Sequence, residues 1–255
     1  MFVVAMMLRV CVVMVLAGVV LPLAAPVTLY NGTGKPGDQG FVYFAQGTGV
    51  TQVGNNLNTM ADTNASAGFF AVHTLNVLPV LDRQAGYTLE FTVQIKEEDH
   101  SGSDRNDDEI GDRAGFSVIA LSSDKKGIEL GFWPDQVWAQ NDGAAQPPLN
   151  SNTLFTHGES GLWNTTAATT YQLVVQGDAY RLYSGTTLIV TGPLRDYTPF
   201  IGANDVYKTP DFLFLGDDTS SAKADIDLTG PITVASGGVV VTPTAKTLYL
   251  PLITR

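Results

Sequence analysis

Beyond residue 25 the hydrophobic positions follow a period of two rather than 3.6. Short alternating or β-rich segments recur every ten residues or so, with Gly, Pro, Asn and Asp between them. That rhythm predicts short antiparallel strands. Eleven are expected, over residues 41–45, 68–73, 87–95, 115–121, 127–133, 136–140, 170–176, 179–183, 186–190, 211–215 and 223–228. Such a number of strands with almost no helical patterning predicts an all-β fold, an antiparallel two-sheet sandwich.

Turn chemistry joins several of these strands. Lys125-Lys126-Gly127 offers a position for positive φ, and Gly177-Asp178 and Ser184-Gly185 are short hairpin connectors. The stretch YQLVVQGDAYRLYSGTTLIV therefore reads as a three-strand meander with Leu173 and Val175 on the face opposite Val174.

The first 25 residues break the rhythm. One charge, Arg9, precedes an apolar run that ends in Ala24 and Ala25, the layout of a secretory signal peptide. The run is shorter than the ~20 residues that a bilayer span needs. Residues 26–235 are then expected to form one β-sandwich domain, and 236–255 a linker with a short apolar tail. The sole cysteine, Cys11, lies in the leader, so the mature chain carries no disulfide, thiol nucleophile or cysteine metal site. Without Arg9 the balance is 13 basic against 25 acidic residues, a formal charge of −12. Such a surface disfavours nucleic acid, whose phosphates need cations, and suits a secreted protein. The membrane enters only through the leader.

Eight of the acidic residues crowd between Glu97 and Asp112, in EEDHSGSDRNDDEIGD. Asp104, Asn106, Asp108 and Asp112 fall at positions 1, 3, 5 and 9 of a candidate loop, with the backbone carbonyl of Ile110 at 7. Hard Ca²⁺ takes six to eight oxygens in such an order. Two positions depart from the pattern: Glu109 stands where glycine makes the sharp turn, and Gly115 where a bidentate glutamate would close the sphere. A hairpin closing Ile95 onto Gly115 would concentrate the carboxylates, and an ion would relieve their repulsion. The expectation is a Ca²⁺-stabilised loop; the alternative is a solvated acidic tip.

Aromatic side chains suggest a ligand surface. In GFWPDQVWAQ, Trp133 and Trp138 flank the Pro134-Asp135 turn, and with Asp135 and Gln140 they form a candidate glycan platform. The competing reading buries the indoles in the core. In GDDTSS, Asp217 and Asp218 read as turn-capping residues rather than as a second cation site.

The segments LDRQAGYTLEFTVQI from Leu81, the acid run through WPDQVWAQ, LFTHGE from Leu154, TGPLRDYTPF from Thr191 and FLFLGDDTSSAKADIDL from Phe212 closely resemble the choice-of-anchor Y domain. The likeness covers residues 28–234. It implies a concanavalin A-like, laminin-G-like jelly roll of secreted bacterial proteins, and secretion or display at the cell surface. It implies no particular activity. The ending YLPLITR is similar to tails of exported surface proteins, but Leu250-Pro251 is followed by no glycine, so sortase anchoring is rejected. The tail at 247–253 is a candidate donor strand for self-association.

Catalysis finds little support. Jelly rolls of polysaccharide hydrolases carry paired carboxylates on one strand; here Glu90 and Glu129 stand singly, and Asp225 and Asp227 share a face of the terminal strand. No Gly-x-Ser-x-Gly elbow accompanies the three histidines, His73, His100 and His157. The expectation is thus a non-enzymatic, secreted or cell-surface binding or adhesion module with an extracellular glycan as partner. The alternatives are a structural or self-associating matrix or filament subunit, and a polysaccharide hydrolase or lyase.

Overall fold

The structure is a computed structural model, and it describes residues 25–237 apart from 63, 103, 105–107, 144–152 and 203–204. Its strands are β1 (Val27–Tyr30), β2 (Val42–Gln46), β3 (Thr51–Val53), β4 (Asn56–Asn58), β5 (Ser66–Val72), β6 (Tyr87–Asp99), β7 (Ser117–Leu121) and β8 (Gly127–Phe132). They continue with β9 (Gln136–Asp142), β10 (Leu154–Leu162), β11 (Thr169–Gln176), β12 (Ala179–Ser184), β13 (Thr187–Pro193), β14 (Phe212–Asp217), β15 (Lys223–Leu228) and β16 (Ile232–Ser236). One sheet runs β13-β12-β11-β6-β15-β4-β3, with β16 paired to β6 and β1 to β16. The other runs β10-β9-β8-β7-β14-β5-β2. The two sheets stack as a jelly-roll sandwich.

Every expected strand forms. The Lys125 turn takes the positive φ that its sequence suggested, at 70°. Five strands escaped the period-two pattern. β1, β3, β4 and β16 are three to five residues long, and β10 (LFTHGESGL) carries its polar residues irregularly through two register shifts.

The core lies between the sheets. Tyr87, Leu89, Phe91, Val93 and Ile95 of β6 point into it and are fully buried. Among them Phe91 meets Phe132 of β8 edge-on and Tyr171 of β11 face-on, with ring centres 6.0 and 5.3 Å apart, arrangements that the ring quadrupoles favour. The other side of β6 is wet: Glu90 accepts from Gln172 at 2.8 Å, and Thr92 pairs with Thr170 at 2.8 Å. The second sheet differs. Every residue of β7, β8 and β14 is buried, which means that loops cover its outer face.

The acid run is not a hairpin tip. β6 continues to Asp99 and pairs with β15, whereas β7 belongs to the other sheet, so residues 100–116 cross from one sheet to the next. Lysines relieve much of the crowding along that strand: Lys96 Nζ lies 3.1 Å from Asp225 and 3.4 Å from Asp227, and Lys223 Nζ 3.4 Å from Asp99. Nearly all of the leader and of the C-terminal tail, residues 1–24 and 238–255, lies outside the described residues. Among those described, no helix is long and apolar enough to cross a membrane.

Candidate ligand-binding groove

Strand register places a row of side chains across the outer face of the second sheet. Phe70 of β5 lies beside Phe214 of β14, Phe214 beside Ile119 of β7, and Ile119 beside Glu129 of β8. Gln140 of β9 lies one residue beyond the Leu130–Ala139 pair, and His157 of β10 is next to it. Because Ile128, Leu130 and Phe132 fill the core, the period of two turns Glu129 outward.

Two crossover segments wall this face. The one after β6 brings Arg113, and the one between β13 and β14 brings Tyr197, Phe200 and Tyr207; Phe155, at a φ of 61°, opens β10 between them. They leave a groove of about 1110 Å³. Phe70, Phe212, Phe214 and Ile119 are its floor, Arg113, Phe155, Phe200 and Tyr207 line the walls, and Asn64, Ser66, Thr219 and Ser220 supply polar groups. Phe70 and Phe212 stack with ring centres 6.1 Å apart. An apolar aromatic floor with a few convergent polar groups is the usual make-up of a small-ligand site.

Arg113 organises the polar end. Its Nη2 lies 3.0 Å from Asp218 Oδ2 and 3.3 Å from Glu129 Oε1, its Nη1 donates to Gln140 Oε1 at 3.3 Å, and its guanidinium sits 4.8 Å above the Phe155 ring. The Tyr207 hydroxyl donates to Glu129 Oε2. The Tyr197 hydroxyl donates to the Gln140 carbonyl at 2.7 Å and accepts from the Glu129 amide at 3.2 Å.

One cation serves two carboxylates here, which favours the neutral form of the more buried one, Glu129. Burial, and after it the Asp218 charge, push the Glu129 carboxyl up to about 8, against the pull of Arg113. Burial works against the Arg113 charge, but Asp218 and Glu129 outweigh it and hold the guanidinium ionised. Glu129 Oε1 and Asp218 Oδ1 are both buried and, taken as bare acceptors, make no hydrogen bond. Two buried donors, Arg113 Nε and Gln140 Nε2, also lack partners, and a native fold seldom leaves such groups without a use.

The residues singled out from sequence fall in different places. Gln140 joins the Arg113 network. Asp135 lies exposed on its turn, away from that network. Trp133 and Trp138 are only 5% and 0% exposed, which corrects the glycan platform expected of them. Trp133 donates its indole N–H to the Arg113 carbonyl at 3.0 Å and stacks on His100 at 3.9 Å, and Trp138 stacks on His157 at 4.5 Å. Gly131 lets Trp138 lie flat on the sheet, since a Cβ there would come within 2.8 Å of the indole. These rings hold the acidic crossover down and present no face to a sugar.

The described members of the expected calcium set engage backbone amides. Asp104 turns its carboxylate onto the amides of Asp108 and Glu109, at 3.2 and 2.8 Å, and Asp108 accepts from the Ile110 amide at 2.9 Å. Asp112 is fully buried and accepts from the His157 amide at 3.1 Å. Asn106 lies outside the described residues. Glu109 does adopt the left-handed turn that its position demands, with φ of 66°. Among the described residues no three His, Cys, Asp or Glu side chains converge on a metal-holding point.

Sequence reasoning passed over Arg113 and read Glu129 as isolated and Asp218 as a turn residue. A signal was present. In GIELGF a carboxylate interrupts an otherwise apolar strand, and a charge in such a strand needs a partner.

No family model matches the chain, and no curated protein matches it in sequence. Solved structures match its fold. The conserved carbohydrate esterase vb_24B_21 from the Shiga toxin-encoding bacteriophage phi24B aligns with a TM-score of 0.51 at 13% identity, over 84% of this chain and 100% of that one. The Ca²⁺/Man3GlcNAc-bound exoplasmic/lumenal domain of VIP36 aligns with a TM-score of 0.46 at 8% identity, over 88% and 95%. Alginate lyase A1-II', of polysaccharide lyase family 7, gives 0.37 at 10% identity, over 78% and 81%. At these identities the likeness establishes the jelly-roll fold, and function has to be argued from the groove.

Proposed function

We propose that this chain is a secreted, surface-directed module of the choice-of-anchor kind that binds a glycan in the groove on its second sheet. The observation that carries this reading is the pairing of the half-buried rings of Phe44, Phe70 and Phe200, set over the buried Phe212 and Phe214, with the Arg113–Asp218 ion pair. Aromatic faces suit the C–H faces of sugar rings, and a fixed donor and acceptor side by side suit their hydroxyls. The leader and the motifs shared with choice-of-anchor Y domains support export. Binding is preferred to hydrolysis because of the carboxylate geometry. Glu129 and Asp218 both face a single Arg113 nitrogen, which ties them into one ion-pair network, whereas the carboxylates of a hydrolase must stand free on either side of a glycosidic bond. No part of the reading draws on calcium.

The test is a glycan array followed by titration of the best ligand into wild type, Phe70→Ala and Phe44→Ala. Both rings line the groove and are half-buried, so the variants keep the fold while Phe70→Ala lowers affinity at least ~10-fold, the scale of one lost stacking contact. An array on which the wild type binds nothing, or a Phe70→Ala protein that binds as tightly as wild type, overturns the proposal.

A further inference from the structure

The groove floor changes character along its strands. Ala67, Phe69, Ala71, Leu213 and Leu215 pack into the core, which turns the alternate residues of β5 and β14 outward. Strand register sets these in rows. Val72 faces Phe212; Val42, Phe70 and Phe214 form the next row, and Phe44, Gly68 and Gly216 the third. Gln46 and Ser66 form the fourth, with Asp218 just past the end of β14. At two residues to a row, the first and fourth stand about 20 Å apart. Gly68 keeps the middle flat, because the Phe214 ring lies across it, 2.4 Å from where a Cβ would stand.

The rims repeat the gradient. Beside the fourth row the lining residues are Asn64, Thr219, Ser220 and Ser221, side chains that can both donate and accept. Beside the first row Leu75 lines the groove just past β5, and Phe200 and Val206 pack on the cluster that holds Val72 and Phe212. Here the apolar surface continues out into water: Leu75 is 71% exposed, and Ile201, which follows Phe200, is 90% exposed. The polar side chains lining this end are Thr74, Thr209 and Asp205, and Asp205 is paired with Lys208.

From this gradient we infer that the ligand is amphiphilic: a saccharide carrying an aliphatic chain, with its sugar on the polar rows and its chain over Val72, Phe212 and Leu75. The sugar half rests on the glycan-binding reading above. A bare glycan laid along the whole floor would press hydroxyls onto the first row, where few groups replace the water that they lose. A plain hydrocarbon would strip water from Ser66, Asp218 and Thr219 and give nothing back. A sugar with an aliphatic tail satisfies both ends, and its chain takes Leu75 and Ile201 out of water as well.

Calorimetric titration of the whole exported chain with methyl, octyl and decyl β-D-maltoside, each below its critical micelle concentration, holds the sugar constant and varies the tail. Affinity is expected to rise at least ~30-fold from methyl to decyl, within the roughly fourfold per methylene that complete burial gives. Leu75→Ser and Ile201→Ser, at exposed positions, should each cut that ratio by ~3-fold or more, the effect of about one buried methylene. Ser66→Ala, at the other end, should weaken all three probes by a common factor. A flat series, no binding by the decyl probe, or a chain-length ratio indifferent to Leu75→Ser overturns this inference, and glycan binding then stands or falls by the array alone. Neutral phosphatidylcholine vesicles with and without a diglucosyl lipid distinguish the sources of such a ligand. Sedimentation only with the loaded vesicles assigns it to a membrane, and decyl maltoside binding without sedimentation assigns it to a free acylated glycan.

Discussion

The two sheets of this sandwich turn opposite outer faces to the world. On the first, Glu90 bonds to Gln172, Thr92 to Thr170 and Gln94 to the Thr166 carbonyl, in contact with water. On the second, Ile119, Glu129, Trp138 and Gln140 sit at 0% exposure beneath crossover loops. The first face needs nothing further to be stable. The second is apolar on both sides and has to be covered, and the cover closes around Arg113 but leaves a groove over the phenylalanines. The proposed site lies on the sheet that could not face water alone.

The contrast can be broken most severely at Arg113. Arg113→Ala leaves the buried Glu129 and the partly buried Asp218 without their cation and should cost ~3–5 kcal/mol in urea denaturation; a loss below ~1 kcal/mol would mean that the network is solvated and not structural. Next comes a matched pair on the two outer faces. Ile119→Ala should cost ~2–4 kcal/mol, as in a core, while Gln172→Ala should stay within ~0.5 kcal/mol. Similar losses at both sites would erase the distinction between the faces.

A third test uses pH. The folded protein holds a proton on Glu129 that the unfolded chain releases in the ordinary carboxylate range, so between there and about 8 the folded state binds more protons. Stability therefore falls as pH rises through that window. Burial raises Asp217 and, with partial offset from His100, Glu98 in the same direction. Burial lowers His157, which acts oppositely on the acid side of the window. The groups facing Glu129 are Arg113, Asp218, Tyr207 and Tyr197. Melting of wild type against Glu129→Gln isolates the one proton: the gap should move against wild type from pH 5 to pH 8, and a constant gap would place the charge on Glu129 throughout.

The smallest effect belongs to the acidic loop. Asp104→Ala removes two bonds to exposed amides and should cost about 1 kcal/mol or less, and EDTA should leave the melting point of wild type unchanged. A drop of several degrees with chelator, restored by Ca²⁺, would show that the loop closes around an ion after all.

The sequence carried the architecture well, because a period of two is imposed by the backbone and persists wherever one face is buried. The groove was harder to read. Glu129 stands in GIELGF, Arg113 in a crossover and Asp218 after β14, so no spacing along the chain joins them; only the sheet register does. Crowded carboxylates suggested a metal because their count is visible, whereas Lys223, which opposes Asp99 of that run, is paired with it only once β15 lies beside β6. The tryptophans misled for the same reason: an indole next to a turn looks exposed until His100 and His157 close over it.

The pairing of β1 with β16 bears on how such a module would respond to tension. Val27 lies opposite Val234, and Tyr30 opposite Ile232, so the first and last described strands run antiparallel and enter and leave at the same end. A pull applied between residues 27 and 236 would open their few hydrogen bonds one after another, as a zipper opens, instead of shearing them together. Force spectroscopy between those points should record an early, low-force release of β1 that leaves the rest of the sandwich intact. A single high-force rupture would show that the strand is locked by more than its ladder.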